Sequence, residues 1–307
     1  MPELPEVEAL VRFLDGATAG RTVVAADVAA IAALKTHRPP VSALVGRRVQ
    51  GWSRRGKWLV LTVDADARAA VDADPDAAGP LHLAAHLARG GWVRRHETAP
   101  TTPVRPRLGG SSRGASLALR LRLDDGSGVD LTEAGTRKRL AVHVVTAPED
   151  VEAIRTLGVE PLSADFTAER LGDLLHARNQ QVKGLLRDQH AVAGIGNAYS
   201  DEILHAAGVS PFALTRSFDD DGVAHLHATV VATLRAAVAA ASGRPAAELK
   251  DAKRAGMRVH GRTGAACPVC GDTVREVSFA DSSLQYCATC QTGGTVLADR
   301  RTSKFLR

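Results

Sequence analysis

No stretch of the 307 residues approaches the roughly 18 consecutive apolar residues that cross a membrane. The N-terminus lacks the basic, then apolar pattern of a secretory leader. A cytoplasmic protein without a membrane partner is therefore expected. No internal repeat points to a solenoid. Aromatic residues make up only 4% of the chain, and cysteine is absent from the first 266 residues. Lysine is scarce as well, with 7 among 39 basic residues. The many arginines lie in an alanine-rich chain, so they report gene base composition as readily as phosphate binding. What remains is an ordinary globular composition, 45% hydrophobic with mean hydropathy −0.08 and enough residues for about two domains. The net charge of +5 and pI near 9.3 are compatible with a polyanionic partner.

The first half alternates short β-branched runs with glycine and proline. RTVVAADVAAI, ALVGRRVQGW, KWLVLTV, LHLAAHL, GGWVRR, SLALRLRLDDG, GVDLTEAG and RLAVHVV read as strands. In GWSRRGKWLV a hairpin turn at Arg55-Gly56 presents Lys57 at the start of the outgoing strand. DADARAAVDADPDAAGP reads as a low-complexity surface insertion, and HETAPTTPVRPRLGGSSRG as a long loop. A helix from about Glu6 to Gly16 precedes these strands, which suits a two-layer sandwich. Beyond Leu157 the pattern turns helical. SADFTAERLGDLLHAR has a serine cap, GVAHLHATVVATLRAAVAAAS has a helical period, and a glycine turn between them opens another helix near Asn197.

Three features carry chemistry. The first is the N-terminal MPELPEVEAL. Its prolines and glutamates suit a helix lead-in, with carboxylates favoured at the positive helix end. The same residues also suit a nucleophile. A small residue at position 2 permits removal of the initiator methionine, leaving Pro2 as a secondary amine that can form an iminium ion. The second feature is Gly194-Ile195-Gly196 before a helix, where free backbone N–H groups can hold an anion. No acidic partner and no preceding strand complete a dinucleotide motif, so a nucleic-acid phosphate fits better. Asn197 would cap that helix or donate its amide to the phosphate. The third is Cys267-x2-Cys270 and, after sixteen residues, Cys287-x2-Cys290, the spacing of a four-cysteine zinc ribbon. Two disulfides or a redox pair are the competing readings in a chain without a leader. Four thiolates leave no open coordination position, so one structural zinc is expected to brace the VREVSFADSSLQY hairpin.

PELPEVE, the lysine of RRGKWL, VKGLLRDQ with AGIGNAYSDEIL, and CPVCG with YCATCQ together resemble the formamidopyrimidine-DNA glycosylase and endonuclease VIII family. The four matches occur in the family's order and span nearly the whole chain. The resemblance implies an α+β protein. Its parts would be an N-terminal catalytic β-sandwich with an N-terminal helix (residues 1–156), a helix-two-turns-helix domain (157–261), a four-cysteine zinc hairpin (262–295) and a basic tail (296–307). It implies a monomer acting on damaged double-stranded DNA, cytoplasmic and nucleoid-associated when bound. It also implies bifunctional chemistry, in which a flipped, oxidised base is removed through a Schiff base on Pro2 and the abasic strand is then cut. Glu3 would move protons at the sugar, which favours a carboxyl titrating near the working pH. Glu6 would support the site, and Lys57 would contact the lesion's phosphate and act as general acid in elimination. Lys183 and Asn197 would bind or orient backbone phosphates.

The chain departs from the family pattern at four places. Arg89, in HLARGG, stands where a gap-filling methionine is common, and Leu140, behind Arg139 in RKRLA, replaces an aromatic wedge. Arg139 would then face the orphaned base while Leu140 enters the stack. AELKDAKRAGMRVHGRTG is shorter than the lesion-capping loop of purine-specific members and lacks its aromatics. These features favour oxidised pyrimidines, as in endonuclease VIII. Finally, Ser282 replaces an arginine that binds phosphates beside the lesion, and serine offers neither charge nor a bidentate fork. Weak δ-elimination with surviving β-elimination is expected, unless Arg275, Arg300 or Arg301 substitutes. A damaged-DNA-binding protein with reduced catalysis is the alternative, and an RNA-binding protein leaves PELPEVE unexplained.

Overall fold

In the computed structural model of the protein, residues 1–65, 79–108, 114–279 and 282–298 are described. The Ala/Asp-rich insertion, the centre of the long loop, the hairpin tip and the tail with Arg300 and Arg301 fall wholly or largely outside these residues. The chain forms two compact units, one of Met1–Pro2, Glu6–Thr156 and Ser242–Leu249, the other of Glu3–Pro5, Leu157–Ala241 and Lys250–Arg307.

The first unit carries most of helix α1 (Leu4–Thr18) and eight strands: β1 (Val23–Val28), β2 (Val49–Arg55), β3 (Trp58–Val63), β4 (Leu81–His86), β5 (Gly91–His96), β6 (Ser116–Leu123), β7 (Gly128–Glu133) and β8 (Ala141–Val145). They make two four-stranded antiparallel sheets, ordered β1-β6-β7-β5 and β2-β3-β4-β8. Leu59, Leu61 and Val63 alternate along β3 opposite Ala85, Leu83 and Leu81 of β4, and all six are buried. Val60 and Ala84, paired on the opposite face, are buried too, so both faces of this central strand pair are covered. The C-terminal end of α1 docks on β2 through polar groups. Asp15 Oδ1 accepts the Trp52 N–H at 2.9 Å, and Thr18 Oγ1 accepts from Trp52 Nε1 at 2.9 Å. Gly51 permits this approach, because a Cβ there would lie 2.8 Å from Asp15 Oδ1. A short helix, α2 (Glu152–Arg155), closes the unit's main segment.

The second unit is helical, with α3 (Ala168–Ala177), α4 (Val182–Arg187), α5 (Asn197–Ala206), α6 (Asp220–Ala241) and α7 (Leu249–Gly256). The hairpin β9 (Val274–Ser278) and β10 (Ser283–Cys287) and the short α8 (Ala288–Thr292) complete it. The cap of α3 is Thr167, which accepts from the Arg170 N–H at 3.1 Å, and not a serine. Phe166 enters the core, so the chain turns into the helix one residue later. By length and composition α6 could cross a membrane, although the sequence carries no unbroken apolar run of that size. Its Val223, Leu226, Val230, Leu234 and Val238 recur at helical spacing and are buried beside α3 and α5. That is the stripe of a core helix.

Candidate active site

The chemistry-bearing residues divide between the two units, joined in sequence at the Pro2–Glu3 peptide bond. In the first unit Met1 is 47% exposed and Pro2 is buried. While Met1 is attached the Pro2 nitrogen is a tertiary amide, so nucleophilic chemistry at this atom requires its removal. Glu6 is buried on α1. The β2–β3 hairpin pairs Arg55 with Trp58, so its two-residue turn is Gly56-Lys57, one residue beyond the turn expected from sequence. Gly56 takes φ +53, which a glycine supplies without strain. Arg54 braces the turn by donating to the Gly56 carbonyl and to Glu8 of α1, both at 3.0 Å.

Lys57 is not the solvated turn lysine that its position suggests; it is only 7% exposed. Its charge reaches His86 at the end of β4. Burial first and Lys57 second push the His86 imidazole down to about 4, so it is neutral at ordinary pH. The ring lies 5.0 Å from that of Trp58, and His143 approaches Trp58 from β8 at 5.6 Å. Sequence reading passed over His86, because a lone histidine at the end of an apolar strand carries no motif.

Arg89 sits exposed in the turn between β4 and β5, directly after Ala88, which takes the left-handed φ of +49. Arg139 is also exposed, but the expected wedge, Leu140, is 2% exposed. The cause is Glu133, whose Oε1 accepts the backbone N–H groups of Arg139 at 2.5 Å and Leu140 at 2.9 Å. This clasp turns Leu140 into the protein interior, where it cannot enter a base stack. The wedge assignment is therefore corrected.

In the second unit the glycine turn holds an anion, but the anion belongs to the protein. Glu3 Oε2 accepts from the Gly196 N–H at 2.7 Å and the Tyr199 N–H at 3.2 Å, and Oε1 from the Ala198 N–H at 3.0 Å. The N-terminus of α5 thus points its free N–H groups at a carboxylate, as its dipole favours. The phosphate expected at this turn is displaced by Glu3. Each glycine has its own cause. Gly194 takes φ +87, whereas a Cβ on Gly196 would lie 2.5 Å from Glu3 Cδ. Gln189 clamps the turn, donating to the Ile195 carbonyl at 2.8 Å and accepting the Gly194 N–H at 3.0 Å.

Lys183 lies beneath this turn, 5% exposed. Its ammonium meets Asp201 Oδ1 at 2.5 Å and Ser200 Oγ at 2.7 Å, and reaches the Asn197 carbonyl at 3.3 Å. Burial lowers its proton affinity, and Asp201 offsets only part of that. Direct phosphate binding by Lys183 is thereby corrected, since its donors are spent inside the protein; it orients the start of α5. Asp201 also pairs with His260 at 2.7 Å, and Glu202 accepts the N–H groups of Arg258, Val259 and His260. Asn197 donates its amide to the Ser283 carbonyl of β10 at 2.7 Å, and its Oδ1 is buried without a hydrogen-bond partner among the described residues. A second amide hydrogen remains for a ligand. Ser282 is half-buried, and its carbonyl accepts the Phe279 N–H at 2.7 Å.

Cys267, Cys270, Cys287 and Cys290 bring their sulfurs within 4.8 Å of one another. Cys267 and Cys290 are 3.9 Å apart and Cys270 and Cys287 3.3 Å. A tetrahedron with Zn–S bonds of about 2.3 Å has edges of about 3.8 Å, so the cluster fits a structural zinc ion. Burial pushes the Cys267 thiol up, but N–H donation from Cys270 and Val269, with His205 beside it, brings it down to about 6. His205 Nε2 lies 3.3 Å from that sulfur. Gln291 ties the site to the helices by donating to the Val209 carbonyl at 2.8 Å.

A β-sandwich, a helix-two-turns-helix element and a four-cysteine hairpin, with a buried carboxylate at position 3, define the class of zinc-finger DNA glycosylases that also cut abasic sites. Family models of the formamidopyrimidine-DNA glycosylase N-terminal domain match residues 1–142, of its H2TH domain residues 157–246, and of the zinc finger found in FPG and IleRS residues 264–293. The chain belongs to the formamidopyrimidine-DNA glycosylase family. It is 32% identical over 304 residues to the formamidopyrimidine-DNA glycosylase of Roseiflexus, covering 95% of this chain and 100% of that one. It is 52% identical over 153 residues to a formamidopyrimidine-DNA glycosylase-like protein of Mycobacterium tuberculosis, which is 50% of this chain and 96% of the relative. Among solved structures the Thermus thermophilus MutM (Fpg) protein superposes with TM-score 0.73 at 26% identity, covering 96% and 100%. The Lactococcus lactis enzyme bound to DNA containing an abasic site shares the fold, with TM-score 0.75 at 23% identity, covering 94% and 99%.

Proposed function

We propose that this glycosylase removes oxidised bases, pyrimidines in preference, from duplex DNA in the cytoplasm, through a covalent intermediate on Pro2. The observation that carries the reading is the seat of Glu3. A carboxylate directly following Pro2 is held by three backbone N–H groups, and nothing in DNA binding alone requires a buried acid there.

After Met1 is removed, the Pro2 nitrogen uses its lone pair to attack C1′, and the base departs with its bonding electrons and gains a proton. Opening of the sugar ring, with a proton delivered to O4′, leaves a C1′ iminium. Glu3 is the group assigned to these transfers. The iminium acidifies C2′; loss of that proton expels the 3′ phosphate by β-elimination, and water then releases the unsaturated aldehyde from Pro2. Lys57 is assigned to the lesion's phosphate and, with burial limiting water around it, to protonation of the leaving group. Arg89 and Arg139, both exposed, are assigned to the gap left by the flipped nucleotide. Asn197 and Ser282 are assigned to backbone phosphates.

The pyrimidine preference rests on the compact α7 segment. The β-elimination limit rests on Ser282, which brings neither charge nor a bidentate fork to the phosphate. Borohydride trapping of methionine-free protein on abasic and oxidised-base duplexes should give a covalent complex through the N-terminal residue. Intact DNA binding without trapping on any substrate would overturn the enzyme reading in favour of lesion binding. Ser282→Arg should increase δ-elimination products, and an unchanged product ratio would count against the role given to Ser282.

A further inference from the structure

The connection from β5 to β6 is pinned to the sandwich at two points. Arg120 of β6 donates Nη1 to the Pro100 carbonyl at 3.3 Å. The Arg107 N–H donates to the Ala29 carbonyl at 2.9 Å, while the Arg107 carbonyl accepts the Ile31 N–H at 3.1 Å. Between these pins, residues 102–105 and strand β6 line a cavity of about 780 Å³ whose walls belong entirely to the first unit. That volume lies within the range of small-molecule sites. Its origin is residue size: Ala30, Ala33 and Ala118 stand where larger apolar residues would fill the gap between loop and sheet. None of the groups assigned to the reaction lines it.

The charges around the cavity are one-sided. Arg105, Arg107, Arg120 and Lys138 line it against one carboxylate, Glu133. Two of these groups are already satisfied. Asp130 holds Arg120 through two bonds of 2.7 Å, and Glu133 Oε1 accepts the N–H groups of Arg139 and Leu140. Among the described residues no carboxylate pairs with Arg105, Arg107 or Lys138. Lys138 gives one hydrogen to the Glu133 carbonyl at 2.5 Å and one to Ser116 Oγ at 3.1 Å, which leaves a third for a ligand. We propose that this cavity is a binding site for a small organic anion. Its apolar body would sit on the alanines and Leu140, and its carboxylate, sulfonate or phosphate head would face Lys138 and the exposed Arg105 and Arg107. Such a head forms charge-assisted bonds that a neutral molecule cannot. An occupant touches Lys138 and Leu140 on either side of Arg139, so it is felt in the backbone that Glu133 clasps.

Anilinonaphthalene sulfonate carries such a head on an apolar body, and phenylnaphthylamine is the same body without it. Fluorescence titration of the folded, zinc-loaded protein should show one saturable molecule of the anionic dye per chain, bound about tenfold more tightly than the neutral dye. Arg105→Gln combined with Arg107→Gln changes two exposed side chains. It should weaken the anionic dye about tenfold and leave both the neutral dye and the melting temperature in place. Ala118→Leu narrows the cavity and should weaken both dyes; if it lowers the melting temperature, the arginine pair decides. Amide exchange in 138–140 should slow when the anionic dye is bound. Failure of that dye to saturate a protein with a cooperative melt would overturn the proposal, as would equal binding of the two dyes or an affinity untouched by the paired arginine change. Slowed exchange confined to the second unit would overturn it too. So would displacement of the dye by undamaged duplex DNA, because the cations would then belong to a nucleic-acid backbone.

Discussion

At the residue scale, the glycine turn shows how one atom's space decides a site. Gly196 has φ −126, a conformation open to any residue, so its identity is set by the Glu3 carboxylate against it. Gly196→Ala should drive Glu3 from its three N–H donors and lower excision at least 100-fold, the scale of a lost proton-transfer group. Single-turnover kinetics with a melting curve would check this, and activity near the parent's would refute it. His86 makes a second prediction at this scale. Its folded value of about 4 lies below the ordinary 6.5, so between these the unfolded chain binds a proton that the folded chain refuses. Stability is therefore full above about pH 6.5 and falls as pH drops toward 4, by about 2 kcal/mol at pH 5 from this group. Denaturant melts of His86→Phe at pH 7 and 5 should show that much less acid loss than the parent.

At the element scale, α5 anchors three partners with consecutive faces. Its N-terminus binds Glu3, Asp201 binds Lys183 and His260, and Glu202 gathers the backbone of 258–260. Asp201→Ala would strand the buried Lys183 ammonium, and denaturant unfolding should show a loss of about 3–5 kcal/mol. Asp201→Ala combined with Lys183→Met should recover part of it, because the uncompensated charge is gone. Strands were legible from β-branched runs bounded by glycine, and α6 from its apolar period. The inward turn of Leu140 was not, because it depends on Glu133, seven positions earlier, bonding the backbone of Arg139 and Leu140. A pattern of apolar and polar positions records side-chain types and carries no trace of such a clasp.

At the scale of the whole molecule, each compact unit holds part of the assigned chemistry, and the four zinc ligands all lie in the second. Val259, Val274 and the sulfurs of Cys267 and Cys287 form a small cluster at the metal end of the hairpin, while Val277, Leu284 and Tyr286 pack in a second one beside Phe212; neither is the size of a domain core, so the metal is expected to carry much of the hairpin's order. Chelating the zinc should therefore loosen the β9–β10 hairpin and break the Asn197–Ser283 bond. Amide exchange is expected to rise in 274–287 while β3, β4 and β7 keep their protection. DNA affinity should fall in the same titration. Exchange rising equally in the sandwich strands would show that the metal supports the entire chain.

The sequence by itself determined the order of elements, the four zinc ligands and the candidate set of Pro2, Glu3, Lys57 and Asn197. These are local facts: periodicity, spacing and residue type are written along the chain. Only the tertiary structure decided where those groups spend their charges. It gave the helix N-terminus to Glu3 in place of a phosphate, turned Lys183 inward to Asp201, buried Leu140, and brought Lys253 of α7 to a carboxylate 250 residues away in sequence. Pairings of that kind depend on which surfaces fold together, and burial then makes each unpaired donor or charge costly enough to select its partner.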